Sequence, residues 1–201
     1  DLSGWDFANR GINLSSISWL GVNADNSWFA LVGYGDLYKS TNEGKTWQRL
    51  GLVDLNARDV DFPTGIAMHE ETFIAYGPPV NYRYGRKSLR ISEDRGSSWN
   101  TSYATVDGDT VGFITVSHLS GVRWVALHEW RADHILLSGD NGYNWQPVDL
   151  PTDMDIIEGQ MKVASATDRI YVVHQELFAS SDSVDISSTD NLGDSWRAEG
   201  H

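Results

Sequence analysis

Cysteine is absent from the 201 residues. Disulfides and thiolate metal sites are therefore excluded, and the compartment is left open. Basic charge is scarce: 15 Lys and Arg stand against 28 Asp and Glu, a formal net charge of −13. Binding to a nucleic-acid backbone relies on clustered Lys and Arg that displace counterions, so this balance argues against such a partner. An acidic surface serves solubility more often than recognition. No apolar run approaches the roughly 18 residues of a membrane-crossing helix, and no membrane insertion is expected. No signal-peptide pattern stands at the start. The chain opens on Asp1 rather than Met, which reads as processing or excision. Nowhere does a helical period coincide with helix caps.

What is present is a repeat. Nine Trp and 19 Gly are frequent for this length, and 40% of the residues are hydrophobic, enough for a sizeable core. Four segments align. The first three run Ser40 to Trp47, Ser92 to Trp99 and Ser138 to Trp145, each Ser-x-Asx-x-Gly-x-x-Trp. Ser188 to Trp196 reads as a fourth copy with one extra residue before its Gly193. The Asx positions are then Asn42, Asp94, Asp140 and Asp190, and the glycines Gly44, Gly96, Gly142 and Gly193. These residue types make a hairpin corner. An Asx oxygen accepts backbone N–H groups in the loop. Gly takes the positive φ that a tight turn demands. Trp opens the next strand and packs its ring beneath the corner.

Strand-length apolar runs precede each corner. Trp28-Phe29-Ala30-Leu31-Val32-Gly33 aligns with Thr72-Phe73-Ile74-Ala75-Tyr76-Gly77, with Trp124 to His128, and with Ile170 to His174. Runs of this kind suit strands buried on both faces. Another strand stands upstream of each, a third leads into each corner, and a fourth leaves from each Trp. The expected unit is a four-stranded antiparallel sheet, and radial repetition of such sheets gives an all-β propeller.

The corner pattern resembles the Asp box, or bacterial neuraminidase repeat, of sialidase-like β-propellers. The resemblance spans roughly residues 15 to 200. It implies about four blades in one domain over 1–201, at approximately 12–50, 59–104, 111–150 and 160–201. It implies a structural role for the corners, which lie away from the face that carries the site in catalytic relatives. Asn42 departs from the usual Asp, keeping the acceptor and dropping the charge. Rings of this family usually hold more blades than four. Residues 1–11 read as a closing strand or a partner's outer strand, because Ser3-Gly4-Trp5 and Asp6-Phe7-Ala8 look like the end of a corner and its outgoing strand.

On the face opposite the corners, two loops concentrate recognition chemistry. Residues 77–88 hold Tyr82, Arg83, Tyr84 and Arg86, and residues 129–134 hold Trp130 and Arg131. Tyr, Trp and Arg are favoured at binding hot spots, and long loops on a rigid scaffold carry function. Phe178 is a weaker candidate. Asp54, Asp59, Asp61, Asp107, Asp109, Asp153 and Asp155 fall in loops between blades. A carboxylate pair there could serve glycoside hydrolysis or Ca²⁺, but solvated loops are the plainer reading. His128 and His174 occupy equivalent strand positions, which argues for packing. No zinc spacing and no phosphate loop appear, so neither metal nor cofactor is expected.

Three functions fit. The first is a non-catalytic binding or structural module of a larger protein or assembly, such as a virion or cell-surface component, in an extracellular, secreted or virion setting. Its partners would be other blades, subunits or proteins, or a glycan. The second is a fragment of a sialidase-like or xyloglucanase-like glycoside hydrolase. Against it, no Arg-Ile-Pro element is present, and Arg10, Arg58, Arg83 and Arg131 do not map onto a carboxylate-clamping trio. The third is a glycan-binding lectin.

Overall fold

The computed structural model describes residues 17–53, 63–77, 89–106, 108–128, 134–151, 162–166, 169–175 and 184–200. They form four antiparallel four-stranded sheets, each ordered as in the chain. The first holds β1 (Ile17–Val22), β2 (Trp28–Val32), β3 (Asp36–Ser40) and β4 (Gln48–Leu52). The second holds β5 (Gly65–His69), β6 (Thr72–Tyr76), β7 (Leu89–Ser92) and β8 (Asn100–Ser102). A two-stranded ribbon follows, β9 (Ala104–Val106) and β10 (Asp109–Val111). The third sheet holds β11 (Phe113–Ser120), β12 (Arg123–His128), β13 (His134–Ser138) and β14 (Gln146–Asp149). The fourth holds β15 (Lys162–Ala166), β16 (Arg169–Gln175), β17 (Val184–Thr189) and β18 (Arg197–Gly200). The ribbon was not anticipated: Gly108, at φ 87°, turns it, and Asp109 sits on a strand rather than in a loop.

The first strands line an arc, with β1 against β5, β5 against β11 and β11 against β15. Sheets stack face to face across it because their second strands are apolar on both sides. Phe29, Leu31 and Leu37 meet Ile66, Phe73 and Ala75 between the first two sheets. Phe29 and Phe73 pack edge to face, 4.8 Å between centroids. Ile74, Leu89 and Ile91 meet Val116, Trp124 and Ala126 at the next joint. Val125, Leu127 and Ile135 meet Ile170 and Val172 at the last. Full burial of each such Val, Leu, Ile or Phe side chain is worth about 1.5–3 kcal/mol. The joints, more than the hydrogen-bonded ladders, therefore hold one sheet to the next.

Pairing corrects the alignment of the second sheet. Ser40 lies opposite Trp28, Ser92 opposite Phe73 and Ser138 opposite Trp124. Phe73, not Thr72, thus occupies the place of Trp28 and Trp124. Because side chains alternate across a strand, this one-residue offset decides which neighbour each face meets. Phe73 and Ala75 turn back to the first sheet; Ile74 turns forward to the third.

Candidate functional site

The four corners repeat one hydrogen-bond circuit. In the second, the Ser92 hydroxyl donates to Asp94 Oδ1 at 2.8 Å. Ser92 Oγ in turn accepts the N–H of Asp94 at 3.3 Å and of Gly96 at 2.7 Å. Asp94 Oδ1 also accepts the Ser98 N–H at 2.8 Å, and Oδ2 accepts the Ser98 hydroxyl at 2.6 Å. Ser40 and Asn42 build the first corner the same way, and Ser138 and Asp140 the third. The residue before each Gly takes the left-handed conformation: Glu43, Arg95, Asn141 and Leu192 lie at φ 57–60°. Gly44, Gly96, Gly142 and Gly193 follow at φ 80–98°. Two successive left-handed residues turn the chain, and the second has the steeper preference for Gly.

Asn and Asp are both accommodated because the residue four positions on reverses its role. Asn42 donates through Nδ2 to Thr46 Oγ1 at 2.8 Å. Asp140 instead accepts from Asn144 Nδ2 at 2.5 Å. Burial works to raise the Asp94 and Asp140 carboxyls. Hydrogen bonds from Ser98 and Ser92, and from Asn144 and Ser138, overcome it and hold both below the ordinary value.

The fourth corner is a correction. Its circuit is built by Thr189 and Asn191, not by Ser188 and Asp190. Thr189 Oγ1 donates to Asn191 Oδ1 at 2.7 Å and accepts the Gly193 N–H at 3.0 Å. Asn191 Oδ1 accepts the Ser195 N–H at 3.0 Å. Thr189-x-Asn191-x-Gly193-x-x-Trp196 therefore has the spacing of the other three, and there is no extra residue. The strand pairing agrees, since Thr189 lies opposite Ile170. Ser188 and Asp190 point to the other face. Ser188 donates to Glu199, and Asp190 lies 3.4 Å from Arg169 and 3.6 Å from Arg197. Accepting Thr for Ser would have found this corner in the sequence.

Each later corner also closes a joint. A Cβ added at Gly96 would stand 2.5 Å from Leu37 of the first sheet, and one at Gly142 would stand 2.6 Å from Ile74 of the second. At Gly193 it would run into Val148 of the third. Trp99 packs against the core of the first joint and Trp145 within that of the second. Trp196 Nε1 donates across the third joint to the Asp149 carbonyl at 3.1 Å. At the first joint Arg95 adds a clamp, 2.8 Å from Asp25 of the first sheet and 3.7 Å from Glu71 of its own. The Ser27 N–H, then the Ser27 hydroxyl and Arg95, hold the Asp25 carboxyl below its ordinary value.

Between the third and fourth corners Leu192 stands at the left-handed position that Arg95 holds in the second. A half-open crevice of about 350 Å³ lies there, lined by Leu119, Leu137 and Leu192 with Arg123, Asn144 and Gln146 at its polar side. Asp140 borders it, but both carboxylate oxygens are engaged within the corner. Chemically the crevice is a seat for an apolar group with polar edges.

The recognition residues read from the sequence, Tyr82, Arg83, Tyr84, Arg86, Trp130 and Arg131, lie outside the described residues, as does Phe178. So do Arg10 and Arg58, and Asp54, Asp59, Asp61, Asp107, Asp153 and Asp155. The strand ends that flank the two loops are described. His128 and His134 are buried at the base of the second, their rings 4.6 Å apart. Tyr76 stands at the base of the first, half-buried, and that burial raises its pKa. Among the described residues, no three His, Asp or Glu side chains gather as a metal site requires.

No protein-family model matches the chain, and no curated protein is a detectable relative. Solved structures are similar in fold. An ancestral GH74 enzyme superposes at a TM-score of 0.62 with 15% identity, over 96% of this chain and 26% of that one. The GH74 xyloglucanase of Xanthomonas campestris gives 0.63 with 15% identity, over 90% and 30%. YCF48 bound to D1 peptide gives 0.59 with 13% identity, over 90% and 55%. This chain therefore spans from about a quarter to about half of these structures. They are β-propeller proteins, and at such identity the likeness is one of fold alone.

Proposed function

We propose that the chain is a non-catalytic propeller module of the Asp-box type, which holds or binds other parts of a larger protein or assembly. One observation carries this reading. Every corner Asx side chain is fully engaged within its own corner, through Oδ1 and through Oδ2 or Nδ2, as at Asn42, Asp94, Asp140 and Asn191. The most conspicuous acidic and amide groups of the sequence are thereby bound up in closing the corners. What the chain presents outward is surface: loops, a crevice and a sheet face.

Such a module suits an extracellular, secreted or virion assembly, with a protein surface or a glycan as its counterpart. The test is twofold. The chain is assayed on a fluorogenic sialoside and on xyloglucan, and glycan arrays and candidate protein partners are screened in parallel. Absence of turnover together with saturable binding supports the module. Turnover abolished by replacing a carboxylate would overturn it in favour of a hydrolase fragment. Glycan binding lost in Trp130→Ala identifies the partner class as carbohydrate. Binding lost in Leu192→Asp places the contact at the crevice.

A further inference from the structure

The outward side of the first sheet differs from its counterparts in the other sheets. Strand pairing puts Leu20 beside Ala30, Ile66 beside Ala75 and Val116 beside Ala126, so Leu20, Ile66 and Val116 hold equivalent places. Ile66 is 3% exposed and Val116 6%, each sealed by the sheet before it; Leu20 is 51% exposed. Val22 and Leu52 are equally open, and Ile17 is nearly so. Register places Trp28 and Tyr38 on the same face, where Trp47 packs beside Ala30 and Val32. Among the described residues the first corner has no sheet to seat on. The atoms nearest a Cβ at Gly44 would belong to its own Trp47 at 3.5 Å and to Trp28 of the same sheet at 3.7 Å.

We propose that this face seats a further four-stranded sheet of the same polypeptide, standing before the first, which takes the Gly44–Trp47 corner as the first three sheets take the corners that follow them. This rests on the reading of the chain as a structural module. Three joints within the chain supply the template: the forward face of each sheet is aliphatic and receives the next corner. The fourth sheet is a poor substitute in a second copy, because its forward face carries Arg169, Asp190, Arg197 and Glu199 in ion pairs. Ser3-Gly4-Trp5, outside the described residues, has the sequence of a corner's close.

The test begins with hydroxyl-radical footprinting of the 201-residue chain, with its mass in solution measured by sedimentation. Strong labelling of Leu20, Trp28 and Tyr38 in a monomer is expected. Protection in a monomer, or a dimer lost in Leu20→Lys, overturns the proposal, because the chain or its copy then covers the face. Next, residues 111–142 are placed directly before Ser3 to supply a sheet with an aliphatic forward face. Labelling should fall several-fold. Leu20→Lys with Val22→Lys should lower Tm by at least about 4 °C in this longer chain and by less than about 2 °C in the original. Equal shifts in both chains overturn the proposal, as does labelling unchanged in a folded longer chain. If the longer chain does not fold, footprinting and sedimentation of the original still decide. Glycosidase turnover would sink the module reading and leave these outcomes standing.

Discussion

The first corner and the third share a circuit but not a setting. Both close through a Ser hydroxyl, an Asx oxygen and a left-handed Gly. The third also drives its glycine into the side chains of the sheet before it, whereas the nearest neighbours of the first are indoles of its own sheet at ordinary contact distance. Local hydrogen bonding therefore makes the corner, and packing between sheets sets how much the corner contributes to stability.

Glycine replacement should separate these two contributions most widely. Gly142→Ala forces a Cβ into φ 87° and against Ile74, and should cost about 3 kcal/mol in urea denaturation. Gly44→Ala meets the backbone cost alone and should lose about 1 kcal/mol. Equal losses would break the distinction. The circuit itself comes next. Ser92→Ala removes a donor and leaves the Asp94 and Gly96 N–H groups without their acceptor, at about 2 kcal/mol. Ser92→Thr should remain within about 0.5 kcal/mol of the parent, because Thr189 fills the same role in the fourth corner.

A smaller contrast fixes the register of that fourth corner. Thr189→Ala should cost about 1–2 kcal/mol. Asp190→Ala, which loses only partly exposed ion pairs, should cost less than about 0.5 kcal/mol. The reverse ranking would restore the earlier reading. The smallest effect at neutral pH is charge. Asp94 and Asp140 have depressed folded values. Their stabilisation is present above the ordinary carboxylate value near 3.8, and it is lost as pH falls through the depressed one. Asp94→Asn with Asp140→Asn should change little at pH 7 and flatten the acid limb of a stability profile. An unchanged acid limb would show that these two groups do not set it.

Three corners were legible because their whole circuit lies within eight consecutive residues, as from Ser92 to Trp99, and needs nothing distant. The fourth was misread because Ser188 and Asp190 offer, one residue early, the same chemistry as Thr189 and Asn191. Only the strand opposite, through Ile170, fixes the phase. The second sheet slipped by one for a related reason. Phe73 and Ile74 are both fully buried, so no polar alternation marks which side each faces. Leu20, Ile66 and Val116 are all aliphatic, and whether a neighbour covers them is a property of the stack. The crevice depends on Leu192 approaching Leu119 across a joint, a juxtaposition far beyond any local pattern. The two recognition loops lie outside the described residues, so the sequence remains the source for them.

Each corner travels with its own sheet and yet completes the joint before it, as Gly142 and Trp145 do against Ile74 and Ile91. A unit gained or lost whole, from its first strand through its last, brings or removes one lid and one floor together. The flanking joints then meet surfaces of the kind they met before. Genetic duplication can thus lengthen or shorten this protein in steps of one sheet without redesigning any contact, whereas a deletion ending inside a unit strands a lid without its floor.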